Sequence, residues 1–457
     1  MIHEEILALL RERYGSLVGD GTYYSRIAEW EAWWKGHERS FHEYAEAAAA
    51  GVTVRRQLYR LNMAKKVCED WASLLLNDRT VIRIDDEQGD SFVKQTLRRT
   101  GFAAQANRLV EKAFATGTGA AILRFCAESD ENGQWSNPDD PAFEFVDAAH
   151  IVPLSIRDGR ITEAAFLSDG WFRGQPYTYL ETHTLEEDGY IVRNEFFTSD
   201  ECGRLIPLAG MPCAAEVRTG SRIPLFAILT PNLQNPIDDG CGLGVSVFHA
   251  ATDCLKGVDL AFNNFCRDIK LGGKKVFISQ SLIQRDESGT AFTPDDVAQQ
   301  LFVTLGDADF SDHPMISEHN PELRADENAQ AVQCQLNYLS FRCGLGAHHY
   351  SFGETDGRAR LTATQYMGER QDMRQNAVKH QKNVEQFLID TVRALLWCGQ
   401  AVFGLAINPD AEIHIDFDDS YFQDTESLRS RDLREVEAGV LTPDEYRRKW
   451  IGGGDNA

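Results

Sequence analysis

The chain has 457 residues, of which 43% are apolar, and a formal net charge of −24 from 46 Lys and Arg against 70 Asp and Glu. This length suffices for about two to four domains, each with a core of its own. The acidic excess argues against a protein that binds nucleic acid tightly, because tight binding to phosphates requires clustered Lys and Arg. It does not exclude a protein along which DNA moves without being bound tightly.

The cysteines and the N-terminal segment predict an intracellular protein. The ten cysteines form no C-x-x-C pair, so we expect reduced thiols and not a disulfide framework. The opening residues, MIHEEILALLRERYG, have the charge pattern of an amphipathic helix and not that of a secretory signal peptide. No segment approaches the roughly 20 apolar residues that span a bilayer, so we expect no membrane insertion.

Residues 1–124 have mainly helical periodicity. The strongest stretch, residues 55–77, carries apolar residues every three or four positions and predicts a helix with one buried face. Short strands are predicted at 81–84 and 120–125. The Gly-Thr-Gly of residues 117–119 precedes a strand and not a helix N-terminus, so we interpret it as a turn and not as a phosphate loop.

Between residues 143 and 226 the hydrophobic period changes to two. Asp158-Gly159 and Asp188-Gly189 each lie between strand-like runs, which predicts two β-hairpins. Aromatic and β-branched residues are dense in this region, so we predict an antiparallel sheet that packs on the N-terminal helices. The predicted fold class is therefore α+β.

A segment rich in Pro, Gly, Asn and Asp, residues 231–244, marks a boundary before a long helix that ends at Gly272-Gly273. A compact, strongly acidic insert follows, with strands predicted at 276–279 and 301–305. The chain then returns through a second helix, whose apolar stripe runs along Ala329, Val332, Leu336, Leu339 and Cys343.

After a loop rich in Gly, Ser and His comes the longest predicted helix. It begins at Thr362, where the sequence TATQ fits a capping box, and runs for about 35 residues, or close to 50 Å. Helices of this length are common where subunits pack side by side around an axis. A strand at 413–417 and two short helices, separated at Gly439, complete the predicted elements.

Motifs for enzymatic chemistry are mostly missing from the sequence. It contains no G-x-x-x-x-G-K-[ST], H-E-x-x-H or G-x-S-x-G string and no Cys/His arrangement with zinc spacing. One candidate remains, because His414, Asp416 and Asp418 alternate on a predicted strand and, with Asp424, would suit Mg²⁺ or Mn²⁺ in a metal-dependent nuclease. Solvated acids on a half-buried strand explain the same residues, and we favour that interpretation.

Several strings, together with the order of the segments, resemble the portal proteins of long-tailed bacteriophages over most of the chain. The matching strings are Arg60-Leu-Asn-Met-Ala-Lys65 with Trp71-Ala-Ser-Leu-Leu75, Gly242-x-Gly244-x-Ser246-Val-Phe248, Leu255-Lys-x-x-Asp259, Lys274-Lys-Val-Phe277, Asn320-Pro-x-Leu-Arg324, Thr362-Ala-Thr364, Phe417-Asp-Asp-Ser420 to Asp424, and Ala438-Gly439 to Glu445. Each string alone has low specificity, and the resemblance depends on the order in which the strings occur.

The resemblance implies a portal-type fold with a defined sequence of segments. These are a wing at 1–240 with helices and an antiparallel β insert, a first stem helix at 241–273, a clip at 274–324, a second stem helix at 325–343, a tunnel loop at 344–361, a long wing helix at 362–400, and a C-terminal wing strand with short helices at 401–457. Because only about forty residues follow the last strand, any crown is small.

The function implied by the resemblance is structural. Portal proteins form a ring of about twelve subunits at one vertex of the capsid, through which double-stranded DNA is packaged and ejected. The expected partners are the ring's own subunits, the DNA in the channel, the terminase large subunit, the head–tail adaptor, and the major capsid and scaffolding proteins. We expect no enzymatic activity, cofactor, metal or membrane, and a location in the virion after assembly in the host cytoplasm.

The resemblance also assigns residues to the channel. In the tunnel loop, His348, His349, Arg358 and Arg360 would meet DNA phosphates transiently. Basic residues where the stem meets the clip, Lys270, Lys274 and Lys275, would face the same path.

Overall fold

The computed structural model describes residues 4–15, 21–47, 53–125, 128–129, 135–136, 138–200, 204–211, 213–238, 240–273, 275–279, 301–304, 316–350, 363–417, 425–438, 442–443 and 446. These residues combine helices with largely antiparallel sheets, so the predicted α+β class is confirmed. None of their helices is both long enough and apolar enough to cross a membrane.

The helices and strands alternate along the chain in blocks. The helices are α1 (Glu4–Tyr14), α2 (Thr22–Trp34), α3 (Arg39–His42), α4 (Met63–Leu75), α5 (Glu87–Arg99), α6 (Phe102–Thr116), α7 (Thr252–Leu271), α8 (Ala325–Arg342), α9 (Ala363–Ala401) and α10 (Thr425–Glu437). The strands are β1 (Glu43–Ala47), β2 (Thr53–Gln57), β3 (Val81–Ile84), β4 (Gly119–Arg124), β5 (Glu128–Ser129), β6 (Trp135–Ser136), β7 (Ala142–Asp147), β8 (Ile151–Arg157), β9 (Arg160–Phe172), β10 (Gln175–Glu186), β11 (Gly189–Ser199), β12 (Leu205–Pro207), β13 (Glu216–Arg218), β14 (Phe226–Leu229), β15 (Lys275–Ser279), β16 (Leu301–Thr304), β17 (Ile316–His319) and β18 (Ile413–Asp416).

The helix predicted over residues 55–77 is wrong at its start. Residues 53–57 form β2, which pairs antiparallel with β1, and α4 begins only at Met63. Asn62, at the N-cap of α4, has a left-handed backbone (φ 55°), which separates the extended segment from the helix. Pairing with β1, the strand that immediately precedes it in the chain, has therefore overridden a helical pattern that continued smoothly in the sequence.

The predicted antiparallel region is a six-stranded sheet in the order β12-β11-β10-β9-β8, with β13 added to β11. Both predicted hairpins are confirmed. The turn between β8 and β9 has φ values of 51° at Asp158 and 73° at Gly159, the left-handed pair that suits an Asp-Gly turn. The sheet packs on the N-terminal helices, where the Tyr24 hydroxyl donates a hydrogen bond to the Ile151 carbonyl at 2.8 Å.

A second sheet, β14-β4-β7, lies between α6 and α9. The main core includes large side chains from several of these elements, among them Trp71 of α4, Phe114 of α6 and Phe387 of α9. At 39 residues, α9 is about 58 Å long and follows the predicted segment closely. It contacts α4, α5, β4, β14 and β18, so it runs along most of this layer.

Helices α7 and α8 form an antiparallel pair. At one end the Arg324 guanidinium contacts the Asp268 carboxylate at 3.0 Å, and at the other Arg342 donates a hydrogen bond to the Ala250 carbonyl at 2.9 Å. Gly257 faces α8, where the end of the Gln335 side chain lies against it. We call residues 252–271 and 323–342 the helical hairpin.

The predicted strands of the insert between α7 and α8 are confirmed as β15 and β16. They pair in parallel, and β17 pairs antiparallel with β15 on its other side. This small sheet lies in sequence between the ends of the two helices where Asp268 and Arg324 meet. The rest of the insert, including most of the predicted acidic surface, lies outside the described residues.

Candidate functional site

The helical hairpin exposes an unusual amount of apolar surface. Six of the thirteen large apolar side chains that are exposed in the described part of the chain belong to it. They are between 44% and 62% exposed: Leu260, Ile269, Leu271, Leu323, Tyr338 and Phe341. Apolar side chains that cluster on one exposed structure mark an interaction surface more often than isolated ones do.

Burial along α7 falls toward the small sheet. Leu255 and Val258, near the start of the helix, are buried, whereas Phe265 is half-buried and Ile269 is exposed. The apolar side chains of α7 are therefore covered by this chain only in the first half of the helix. The stripe of α8 is covered more fully, since Val332, Leu336, Leu339 and Cys343 are buried and only Ala329 is exposed.

Two buried polar side chains fix the start of α7 to the N-terminal part of the chain. Asp259 accepts a hydrogen bond from the Leu61 backbone N–H at 2.8 Å, and its other oxygen lies 3.0 Å from Nε2 of His42. One turn further on, Asn263 accepts a hydrogen bond from the Tyr59 N–H at 3.1 Å. Asp259 and His42 are 5% and 1% exposed, so each must find its hydrogen-bond partner within the protein. We call these contacts between α7 and the N-terminal part of the chain the first joint; no local pattern in the sequence indicates it.

The end of α8 is fixed by a second joint. The Trp71 indole N–H donates a hydrogen bond to the Cys343 carbonyl at 3.1 Å, and the Asn376 side-chain amide donates one to the Gly344 carbonyl at 3.1 Å. Gly344 has a left-handed backbone (φ 80°), as expected where a helix ends. The start of the predicted tunnel loop is thus held by α4 and α9.

His380, on α9, packs against the same joint. Its ring lies 4.9 Å from Trp71 and 5.0 Å from Phe114, centroid to centroid, and its Nδ1 accepts a hydrogen bond from the Asn232 N–H at 3.0 Å. Burial lowers the pKa of His380 to about 3, because the charged ring would lose its hydration. The ring is therefore neutral at physiological pH.

The two predicted channel histidines differ in their surroundings. His348 is exposed, whereas Nε2 of His349 lies 3.3 Å from the Asp70 carboxylate, which also accepts a hydrogen bond from the Tyr350 hydroxyl at 2.8 Å. Burial raises the pKa of Asp70, but hydrogen bonds from His349, Lys66 and Tyr350 outweigh this effect and lower it below its usual value. His349 is therefore engaged with α4.

The other predicted basic residues are only partly described. Arg358, Arg360 and Lys274 lie outside the described residues. Lys270 is exposed in the last turn of α7, and Lys275 begins β15, where its backbone pairs with that of His319. The structure thus places Lys270 at the sheet end of the hairpin.

The strand proposed for metal binding, β18, pairs with β3 and is half-buried as predicted, with Ile413 and Ile415 turned inward. Its Asp416 forms an ion pair with Arg83, so this carboxylate is already neutralised. His414 lies instead beside Asp85, with Nε2 3.5 Å from Oδ2. The other two members of the predicted set, Asp418 and Asp424, lie outside the described residues.

No protein-family model matches the chain, and no curated protein matches it either.

Proposed function

We propose that this chain is the subunit of a ring and serves as a tailed-bacteriophage portal protein. The observation that carries the proposal is the apolar surface of the helical hairpin, which this chain alone does not cover. Tyr338 and Phe341 lie on α8, and Ile269 and Leu271 near the sheet end of α7. In a ring, each hairpin would pack against the next by a heterologous contact that is repeated until the circle closes.

The remaining architecture supports the same proposal. A mixed helical and antiparallel domain, a helical hairpin that ends in a small sheet, and the 39-residue α9 occur in the order that the resemblance to portal proteins implies. A net charge of −24 in every subunit would repel duplex DNA from the wall of a central channel. Weak contact suits a protein through which DNA slides in both directions.

In this proposal the chain performs no chemistry. The terminase motor would supply the force for packaging, and the head–tail adaptor and the capsid and scaffolding proteins would bind the ring from outside. A metal-dependent nuclease centred on Asp416 has less support, because the ion pair with Arg83 occupies the carboxylate that would have to bind the metal.

Electron microscopy of the purified full-length protein, with light scattering for its mass, tests the proposal. We expect closed rings of about twelve copies. The double variant Tyr338→Asp with Phe341→Asp should yield folded monomers, because it places charge on an interface that must be desolvated. Trp171→Asp is the matched control, since Trp171 is 75% exposed but lies on β9, and it should keep the rings.

Two outcomes would contradict the proposal. A wild-type protein that stays monomeric at micromolar concentration and physiological salt would exclude the ring. Rings that survive the double substitution, or that are lost equally in the Trp171 variant, would show that the hairpin surface does not make the contact.

A further inference from the structure

Three metal-ligating side chains meet on the exposed face of the β3–β18 pair. Single ligand atoms of Asp85, Glu412 and His414 all lie within 4.8 Å of one another. We propose that these residues form a binding site for one divalent first-row transition-metal ion, with Mn²⁺ and Zn²⁺ as the ions that the ligand set suits. This site differs from the His414 and Asp416 set that the sequence suggested, and it does not depend on ring assembly.

Backbone pairing brings the three residues together although Asp85 is more than three hundred positions away in sequence. His414 is directly opposite Arg83 in the antiparallel register, and the Asp85 N–H donates a hydrogen bond to the Glu412 carbonyl at 3.0 Å. Side chains two residues apart along an extended segment point to the same face. Asp85 therefore lies on the same face as Arg83, and Glu412 lies on the same face as His414 and Asp416. The backbone thus fixes the positions from which the ligands extend.

The charges on this face favour a cation. At one end of the face, Arg83 forms an ion pair with Asp416. At the other end, no lysine or arginine among the described residues forms an ion pair with Asp85 or Glu412. The basic group beside Asp85 is His414. Two carboxylates without a permanent positive partner therefore lie next to an imidazole, and a divalent ion would relieve their repulsion.

The ligand types indicate the class of metal. An imidazole nitrogen favours transition metals over Mg²⁺ and Ca²⁺, which prefer oxygen ligands throughout, and two carboxylates suit Mn²⁺ as well as Zn²⁺. Metal-ligand distances of about 2.0–2.2 Å require only small movements of side chains that are 65% exposed at Asp85 and 44% exposed at His414. Three protein ligands leave further coordination positions for water.

A metal at this position would join β18 to β3. His414 belongs to β18, Glu412 directly precedes that strand, and Asp85 directly follows β3. The ion would cross-link the last strand of the chain to the segment that leads into α5, and any ion that binds only the folded form stabilises it. We therefore expect a gain in thermal stability that accompanies binding.

Titration of the metal-free full-length protein with Mn²⁺, followed by electron paramagnetic resonance of the free ion, tests the proposal. Mn²⁺ is the first probe because the ten cysteines would also bind Zn²⁺. We expect one saturable site with a dissociation constant below about 1 mM, weakened about tenfold or more in Glu412→Gln and in His414→Ala. Mn²⁺ should raise the melting temperature of the wild type and not that of these variants.

Asp416→Asn is the matched control, since it removes a carboxylate from the same face and strand but outside the proposed site. It should bind Mn²⁺ as the wild type does. Wild-type affinity in His414→Ala, or no saturable binding to the wild type, would overturn the proposal. A loss in Asp416→Asn as large as in His414→Ala would overturn it too, because the metal would then lie between His414 and Asp416. Circular dichroism verifies that each exposed substitution leaves the fold intact.

Discussion

Replacing Asp259 with Ala is the sharpest test of how the helical hairpin is held. The carboxylate accepts from the Leu61 N–H at 2.8 Å and lies 3.0 Å from Nε2 of His42, in a place that is 5% exposed. Removal leaves the buried His42 ring and the partly buried Leu61 N–H without this partner, each at a cost of about 1–3 kcal/mol. We expect a destabilisation of about 2–4 kcal/mol, beyond the range of ordinary surface substitutions.

Two further variants separate the contributions. Asp259→Asn keeps an oxygen that can accept a hydrogen bond from the Leu61 N–H. It should therefore lower the free energy of unfolding by about half as much as the alanine variant does. Asp253→Ala removes a carboxylate from the same helix, but this side chain is 95% exposed and forms an ion pair with Lys256 at 3.1 Å. It should therefore lower the free energy of unfolding by less than about 0.5 kcal/mol.

Hydrogen exchange of the Leu61 amide is the local assay, and the melting temperature is the global one. A loss of about 2 kcal/mol corresponds to an exchange rate raised by about thirtyfold, since 1.4 kcal/mol is a factor of ten. If Asp259→Ala leaves both the Leu61 protection and the melting temperature at wild-type values, the buried joint does not hold α7.

Two other predictions concern His380 and the tunnel loop. The pKa of His380 is lowered to about 3 in the folded chain, so below about pH 6.5 only the unfolded chain takes up this proton, and stability falls as pH drops toward 3. The loss should reach about 2 kcal/mol at pH 5, and His380→Gln should remove this part of the pH dependence of the melting temperature. If the proposed portal function holds, Arg358→Ala with Arg360→Ala should leave rings and thermal stability unchanged but slow packaging by the complete motor; packaging at the wild-type rate would contradict the role of the loop.

Local signals in the sequence sufficed for much of the secondary structure. The Asp158-Gly159 turn could be predicted because its left-handed φ values restrict the choice of residues. The helix predicted at 362–400 is observed at Ala363–Ala401, because a periodic apolar face must be buried whatever its partner. Residues 53–57 were predicted wrongly, since their strand depends on pairing with β1 and not on their own pattern.

The candidate sites were harder to predict, because their members are far apart in sequence. His42 and Asp259 are separated by 217 residues, and nothing local distinguishes them from solvated polar groups. The resemblance assigned His348 and His349 together to the channel, and nothing local in the sequence indicates that His349 contacts Asp70, which lies in α4. Around β18 the sequence offered His414 and Asp416 as candidate ligands, whereas only the register with β3 reveals that Asp85 lies beside His414.

The side chains that hold the hairpin in place and the apolar side chains that it exposes are different residues, and this division bears on how a ring would form. Asp259 holds the first half of α7, and the Trp71 and Asn376 hydrogen bonds hold the end of α8, whereas Ile269 and Leu271 lie at the sheet end. A hairpin that is already fixed to its own chain loses little conformational entropy when its exposed side chains meet a neighbour. Substitutions of the buried residues that hold it should therefore lower stability and assembly together, while substitutions of its exposed apolar side chains should lower assembly alone.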